Sequence, residues 1–192
     1  TMRAISRAMG HTIAWACERA GVSHLLPTAY ALAGSEIAAY KVRRLVRPGE
    51  TERTPYIQTD RERWEKKTRA RPDGQYSMGP WQFLESTATW MNEKYGLWPE
   101  LNVITTAELQ QPEMSALLMG HYLLHLTGAE ETEDPVLLQA AWNAGSARPM
   151  DVTPERPWGL RTYGEDRTGH FIAWYNDAIV VLSERGIEMR TI

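Results

Sequence analysis

The stretch from Pro27 to Lys41, "PTAYALAGSEIAAYK", is an apolar run that carries one carboxylate, Glu36, with no charge partner in its own segment. On a helix, Ala29, Leu32, Ala33, Glu36, Ala39 and Tyr40 share one face, because residues three, four and seven apart lie in a row. The acid is thus expected in the stripe that faces the core. Burial disfavours the ionised carboxyl group, which is how a protein keeps an acid protonated near neutral pH and ready to donate its proton. The plainer alternative is that an arginine from elsewhere in the chain pairs with Glu36.

The elements that would position this acid read as helices. Pro27, Pro80, Pro112 and Pro135 each precede apolar residues at helical spacing, and proline is tolerated in a first helical turn. Asp134 before Pro135 is an expected N-cap, Thr105 with Glu108 has capping-box spacing, and Gly96, Gly128, Gly145 and Gly186 stand where helices should stop. The spacing predicts helices near 3–20, 27–46, 80–95, 105–127, 134–145 and 170–185, with a mixed insertion at 47–75. A short strand around Tyr56 to Gln58 is the one exception. The expected class is all-α or mainly α, and 192 residues suit a single domain over 1–192 with its own core.

Composition narrows the function. With 43% hydrophobic and 23% charged residues, and no apolar run near the roughly 18 residues a membrane span needs, the chain reads as globular with no membrane span. A net charge of −3 argues against a nucleic-acid binder, yet residues 41–74 hold eleven Lys/Arg against six acids, leaving −8 for the remainder. Such a basic segment suits either an anionic polymer or a solvated face. One cysteine, Cys17, excludes an internal disulfide. The first twenty residues mix Arg, His and Glu into the apolar positions, so no secretory signal is expected from them.

Further along, "YSMGPWQFLESTATW", Tyr76 to Trp90, contains "GPWQFLESTA", which resembles the Gly-x-x-Gln-x-x-x-Ser-Thr-Ala pattern of soluble lytic transglycosylases and goose-type lysozymes in the lysozyme superfamily. Gly79, Gln82, Ser86, Thr87 and Ala88 take the matching positions. The family carries its catalytic glutamate on the preceding helix, usually followed by Ser-Gly; here Ile37 and Ala38 follow Glu36. A later family block, Ala-Tyr-Asn-Ala-Gly, is matched by "AAWNAGS", with Trp142 in place of the tyrosine and Asn143, Ala144 and Gly145 kept. The resemblance spans roughly residues 27–180.

It implies a lysozyme-like, lytic transglycosylase-type helical domain. Its substrate would be peptidoglycan glycan strands, cut at the β-1,4 bond between N-acetylmuramic acid and N-acetylglucosamine. Glu36 would be general acid and then base, forming a 1,6-anhydro ring. Glu36 and Gln82 lie 46 residues apart, wider than the family pattern, so residues 41–75 look like an insertion bordering the groove. "RTGHFIAWY" resembles the family's Thr-x-x-Tyr-Val segment with Phe171 at the tyrosine's place, and Tyr163 is the nearby hydroxyl that would substitute. Ser77, Gln82 and Asn143 would hydrogen-bond N-acetyl and hydroxyl groups, while Trp142, ahead of Trp81, would stack on a sugar.

Hydrolysis, the muramidase alternative, needs a group to activate water, usually a second carboxylate across the groove. Asp73 is the first candidate for it, followed by Asp60 and Glu62. No cofactor is implied. His121 and His125 have the four-residue spacing of zinc ligands, but neither the intervening glutamate of the metalloprotease motif nor a third ligand is evident, so no metal is expected. A rival of another class is a non-catalytic wall-binding or structural module of a phage particle or secretion system, and a chitosanase-like enzyme is weaker still. Either wall reading places the chain in the periplasm or at the cell wall, by a route the sequence leaves open.

Overall fold

In the computed structural model of the protein, residues 2–39 and 79–187 are described, without the side chains of 37–39, 162–164 and 166. The insertion at 41–75 lies outside them, together with Asp60, Glu62, Asp73, Ser77 and the strand expected at Tyr56 to Gln58. The described residues form seven α-helices: α1 (Met2–Arg19), α2 (Leu26–Ala39), α3 (Glu85–Tyr95), α4 (Thr106–Leu109), α5 (Pro112–Glu130), α6 (Pro135–Ala144) and α7 (Thr162–Glu184). A short 3-10 turn, Ser23–Leu25, joins α1 to α2. There is no strand among the described residues, only an isolated bridge between Thr153 and Arg156. The class is mainly α.

The α2 helix is the central element. It packs most extensively on α7 and then on α1, with fewer contacts to α5 and α6. Its side chains from Leu26 to Glu36 are all buried, so it is covered on every side. The expected single core-facing stripe therefore widens to the full circumference, as befits a helix apolar all round. Close packing requires a gap in that surface at Gly34, where a Cβ would stand 2.7 Å from the Trp174 ring of α7. The rest of the core is mostly aliphatic, from Ile5, Met9 and Ile13 of α1 to Leu118, Met119 and Leu123 of α5, with Phe171 and Leu182 of α7.

Several helix ends follow the local chemistry. The Asp134 carboxylate accepts from the backbone N–H of Val136 at 2.8 Å and of Leu137 at 3.1 Å, satisfying two donors that a helix start leaves unpaired. Thr105 and Glu108 form the reciprocal capping box. Gly96 and Gly145 close α3 and α6 in the left-handed conformation.

Four expectations are corrected. Pro80 does not begin a helix: Gly79 at φ 76° and Gln82 at φ 53° fold residues 79–82 into a turn, and α3 begins at Glu85. The single helix expected over 105–127 is two, because Pro112 cannot continue α4 and instead occupies the start of α5. Gly128 does not stop α5, which runs to Glu130 and ends on Glu131 in the left-handed conformation. Finally, α7 starts at Thr162 rather than 170, passing through Gly164 and Gly169 because its packing on α2 and α6 outweighs their low helix propensity.

Candidate active site

Glu36 lies near the C-terminal end of α2 and is only 3% exposed. An ionised carboxylate so placed needs a partner, and Arg167 of α7 supplies it: Nη1 donates to Glu36 Oε1 at 3.1 Å. The same Nη1 donates to Asn143 Oδ1 on α6. Asn143 in turn donates through Nδ2 to the Gln139 carbonyl one helical turn earlier, at 2.9 Å. With one amide atom accepting and the other donating, the orientation of Asn143 is fixed. Buried Glu36 and half-buried Arg167 and Asn143 thus form a polar cluster joining three helices.

Electrostatics at Glu36 pull in opposite directions. Burial opposes its charge, while the adjacent guanidinium favours it. The observed geometry is that of an ion pair, the alternative set out beside the general-acid reading. Arg167 lies 131 residues from Glu36. Nothing in the local sequence marks it, since "EDRTGH" reads as an ordinary polar segment, and its chemistry becomes visible only when α7 is laid across α2.

The "GPWQFLESTA" block reaches this region through its aromatics. Trp81 is fully buried, and its Nε1 donates to the Ala29 carbonyl of α2 at 3.4 Å. Trp81 is therefore a core residue rather than a sugar platform. Phe83 packs against Trp142 of the "AAWNAGS" block with ring centroids 5.3 Å apart, and both meet Tyr122 of α5, at 5.8 and 5.0 Å. Half-buried Trp142 therefore spends part of its ring surface on packing. Gln82 turns its amide Nε2 to the Gly79 carbonyl at 2.7 Å, closing the turn. Gly79 is needed because a Cβ there would meet the Leu109 carbonyl at 2.9 Å, so packing explains this glycine.

Glu85 accepts from Thr106 through both the backbone N–H and the hydroxyl, each at 2.6 Å, and so ties α3 to α4. Phe171 is fully buried. Tyr163 falls in the first turn of α7, with its side chain among those not described.

His121 and His125 do not share a ligand geometry: the His121 Nδ1 meets the Leu117 carbonyl at 3.0 Å, and the His125 Nδ1 meets Lys94 Nζ at 2.8 Å. Burial and then the Lys94 charge push the His125 pKa below its usual value. Among the described residues no three His, Cys, Asp or Glu side chains are grouped to hold a metal.

No protein-family model matches the chain, and no curated protein or solved structure matches it either.

Proposed function

We propose that this chain is a peptidoglycan-cleaving enzyme of the lytic transglycosylase type, with a lysozyme-like domain and Glu36 as its acid and base. One observation carries the reading: the three sequence blocks behind the resemblance, separated by tens of residues, are adjacent in the fold. Glu36 and Asn143 share Arg167, Trp81 bonds to α2, and Phe83 packs on Trp142.

The chemistry balances on one carboxyl group. Protonated Glu36 gives its proton to the bridging oxygen as the bond from that oxygen to the muramic acid anomeric carbon breaks, leaving positive charge on the sugar. The carboxylate then takes the proton of the 6-hydroxyl while that oxygen closes onto the anomeric carbon, which restores protonated Glu36. Arg167 favours the carboxylate stage and opposes the protonated one. The reaction in this reading therefore needs a bound strand that draws Arg167 away from Oε1.

A second reading rests on that same contact. As a permanent ion pair, Glu36–Arg167 would be purely structural, and the chain a wall-binding or assembly module. Digestion of purified peptidoglycan by the wild-type chain and Glu36→Gln separates the two. Cleavage lost in the variant supports the enzyme, whereas a wild-type chain that binds peptidoglycan without cutting it supports the module.

A further inference from the structure

At the far end of α7 from the Glu36 cluster, a cavity of about 310 Å³ is lined by Arg3, Ser6 and Arg7 of α1, Val181 and Glu184 of α7, and Arg185 just beyond it. Eighteen residues of helical rise, about 27 Å, separate Arg185 from Arg167. Arg3 is already engaged: its Nε donates to Glu184 Oε2 at 3.1 Å and its Nη2 to Oε1, a forked pair whose charges cancel. Arg7 and Arg185 have no ion-pair contact among the described residues, so two guanidinium groups of the cavity are unpaired, while Asp177 lies close enough to act on Arg3 beside Glu184.

Two details distinguish this cavity from a merely basic surface. Ser6 is 2% exposed, and its hydroxyl has no hydrogen-bond partner, an arrangement that costs stability unless something completes it. Gly10, one turn beyond Ser6, leaves the space in which the Arg185 guanidinium lies: a Cβ there would stand 2.5 Å from Arg185 Nη1 and 2.4 Å from the Tyr30 hydroxyl. The missing side chain at Gly10 thus gives room both to the buried Tyr30 hydroxyl and to the Arg185 guanidinium.

We propose that this cavity binds a phosphate group. Two guanidinium forks and a hydroxyl approaching from α1 and from the end of α7 match a tetrahedral oxyanion, which offers acceptors in several directions. The two unpaired guanidinium groups suit the charge of roughly −1.5 to −2 that a phosphate monoester carries at neutral pH. A carboxylate fits less well, since Glu184 already occupies the one arginine arranged for it. The site is independent of the wall-cleaving reading and shares no residue with it.

The test is a titration of the full chain with inorganic phosphate and with glycerol phosphate at constant ionic strength. It is followed in 1H–15N spectra through the amides of Ser6 and Arg7 and the side-chain Nε–H signals of Arg7 and Arg185. The expected result is saturable shifts at these groups that chloride does not produce. Combining Arg7→Gln with Arg185→Gln should weaken binding about a hundredfold or more, since each charged hydrogen bond lost is worth about tenfold or more.

Both arginines are exposed, and Ser6→Ala, which should weaken binding less, gives a second variant that keeps the helix intact. Sedimentation with vesicles containing phosphatidic acid, whose headgroup is a phosphate monoester, then identifies the source. Arginine-dependent pelleting indicates a lipid headgroup, and phosphate binding without pelleting indicates a soluble ester. Shifts that fail to saturate, that chloride reproduces, or that the variants leave unchanged would overturn the proposal.

Discussion

Two arginine–glutamate pairs join distant parts of the described chain, and they differ in nearly everything but their chemistry. Arg3–Glu184 is forked and well aligned, yet its side chains are 69% and 47% exposed. Arg167–Glu36 meets through Nη1 and Oε1 at 3.1 Å, with side chains only 16% and 4% exposed. Water can replace either partner of the outer pair, and salt screens it, so such pairs contribute little. Water reaches the inner pair far less, so removing one member leaves a charge in a largely dry setting. The difference teaches that burial, more than hydrogen-bond count, decides which pair the fold depends on.

That contrast is sharpest in the arginines. Arg167→Met should destabilise the chain by about 3–5 kcal/mol, because it removes a cation that touches the buried Glu36 carboxylate. Arg3→Met should leave the urea midpoint unchanged within error. Equal effects of the two substitutions, measured by urea unfolding, would break the comparison. The double variant Arg167→Met with Glu36→Leu should recover much of the loss, since an apolar pair of similar volume is often neutral or better.

Next in size is the contact that brings α7 onto α2. Gly34→Ala should cost about 1–3 kcal/mol despite alanine's better helix propensity, because its Cβ would overlap the Trp174 ring. Asp134→Ala should cost about 1 kcal/mol through loss of the α6 cap, again read from urea unfolding.

The pH response of the outer pair follows from its sign. Arg3 lowers the Glu184 pKa in the folded chain, so the stabilisation is present above the ordinary carboxylate range and is lost as pH falls through the lowered folded value. Glu184→Gln should flatten that small acid-side decline at low salt and have no effect at high salt.

Cys17 probes the interior without touching either pair. Its thiol is buried, which pushes its pKa up to about 12, so a thiol reagent at pH 8 should label it only on unfolding. Native-state labelling at the rate of a free thiol would show that the packing around α1 is open.

Local chemistry was legible where it acts over a few residues. Asp134 with Pro135 and Gly145 bounded α6, and Thr105 with Glu108 marked the start of α4, because caps are completed within one turn. Glu36 stood out as an acid in an apolar run, and its burial followed. Pro80 misled because a proline suits a turn as well as a first helical turn, and the left-handed Gln82 gives no signal in the sequence.

The early turns of α7 were missed because their polar, glycine-containing sequence is held by tertiary packing. Arg167 was illegible for the same reason. Among 21 lysines and arginines nothing local distinguishes the one that reaches Glu36, since its role is created by the crossing of α7 over α2.

The central claim, that Glu36 is the acid and base of a wall-cleaving reaction, is tested most directly by weighing the muropeptides released from purified peptidoglycan by the wild-type chain and by Glu36→Gln. The measurement is repeated from mildly acidic to neutral pH. The predicted result is products lighter by one water, without a reducing end, from the wild type and none from the variant. Intact glycan strands from the wild-type chain at every pH, or equal cleavage by the variant, would contradict it.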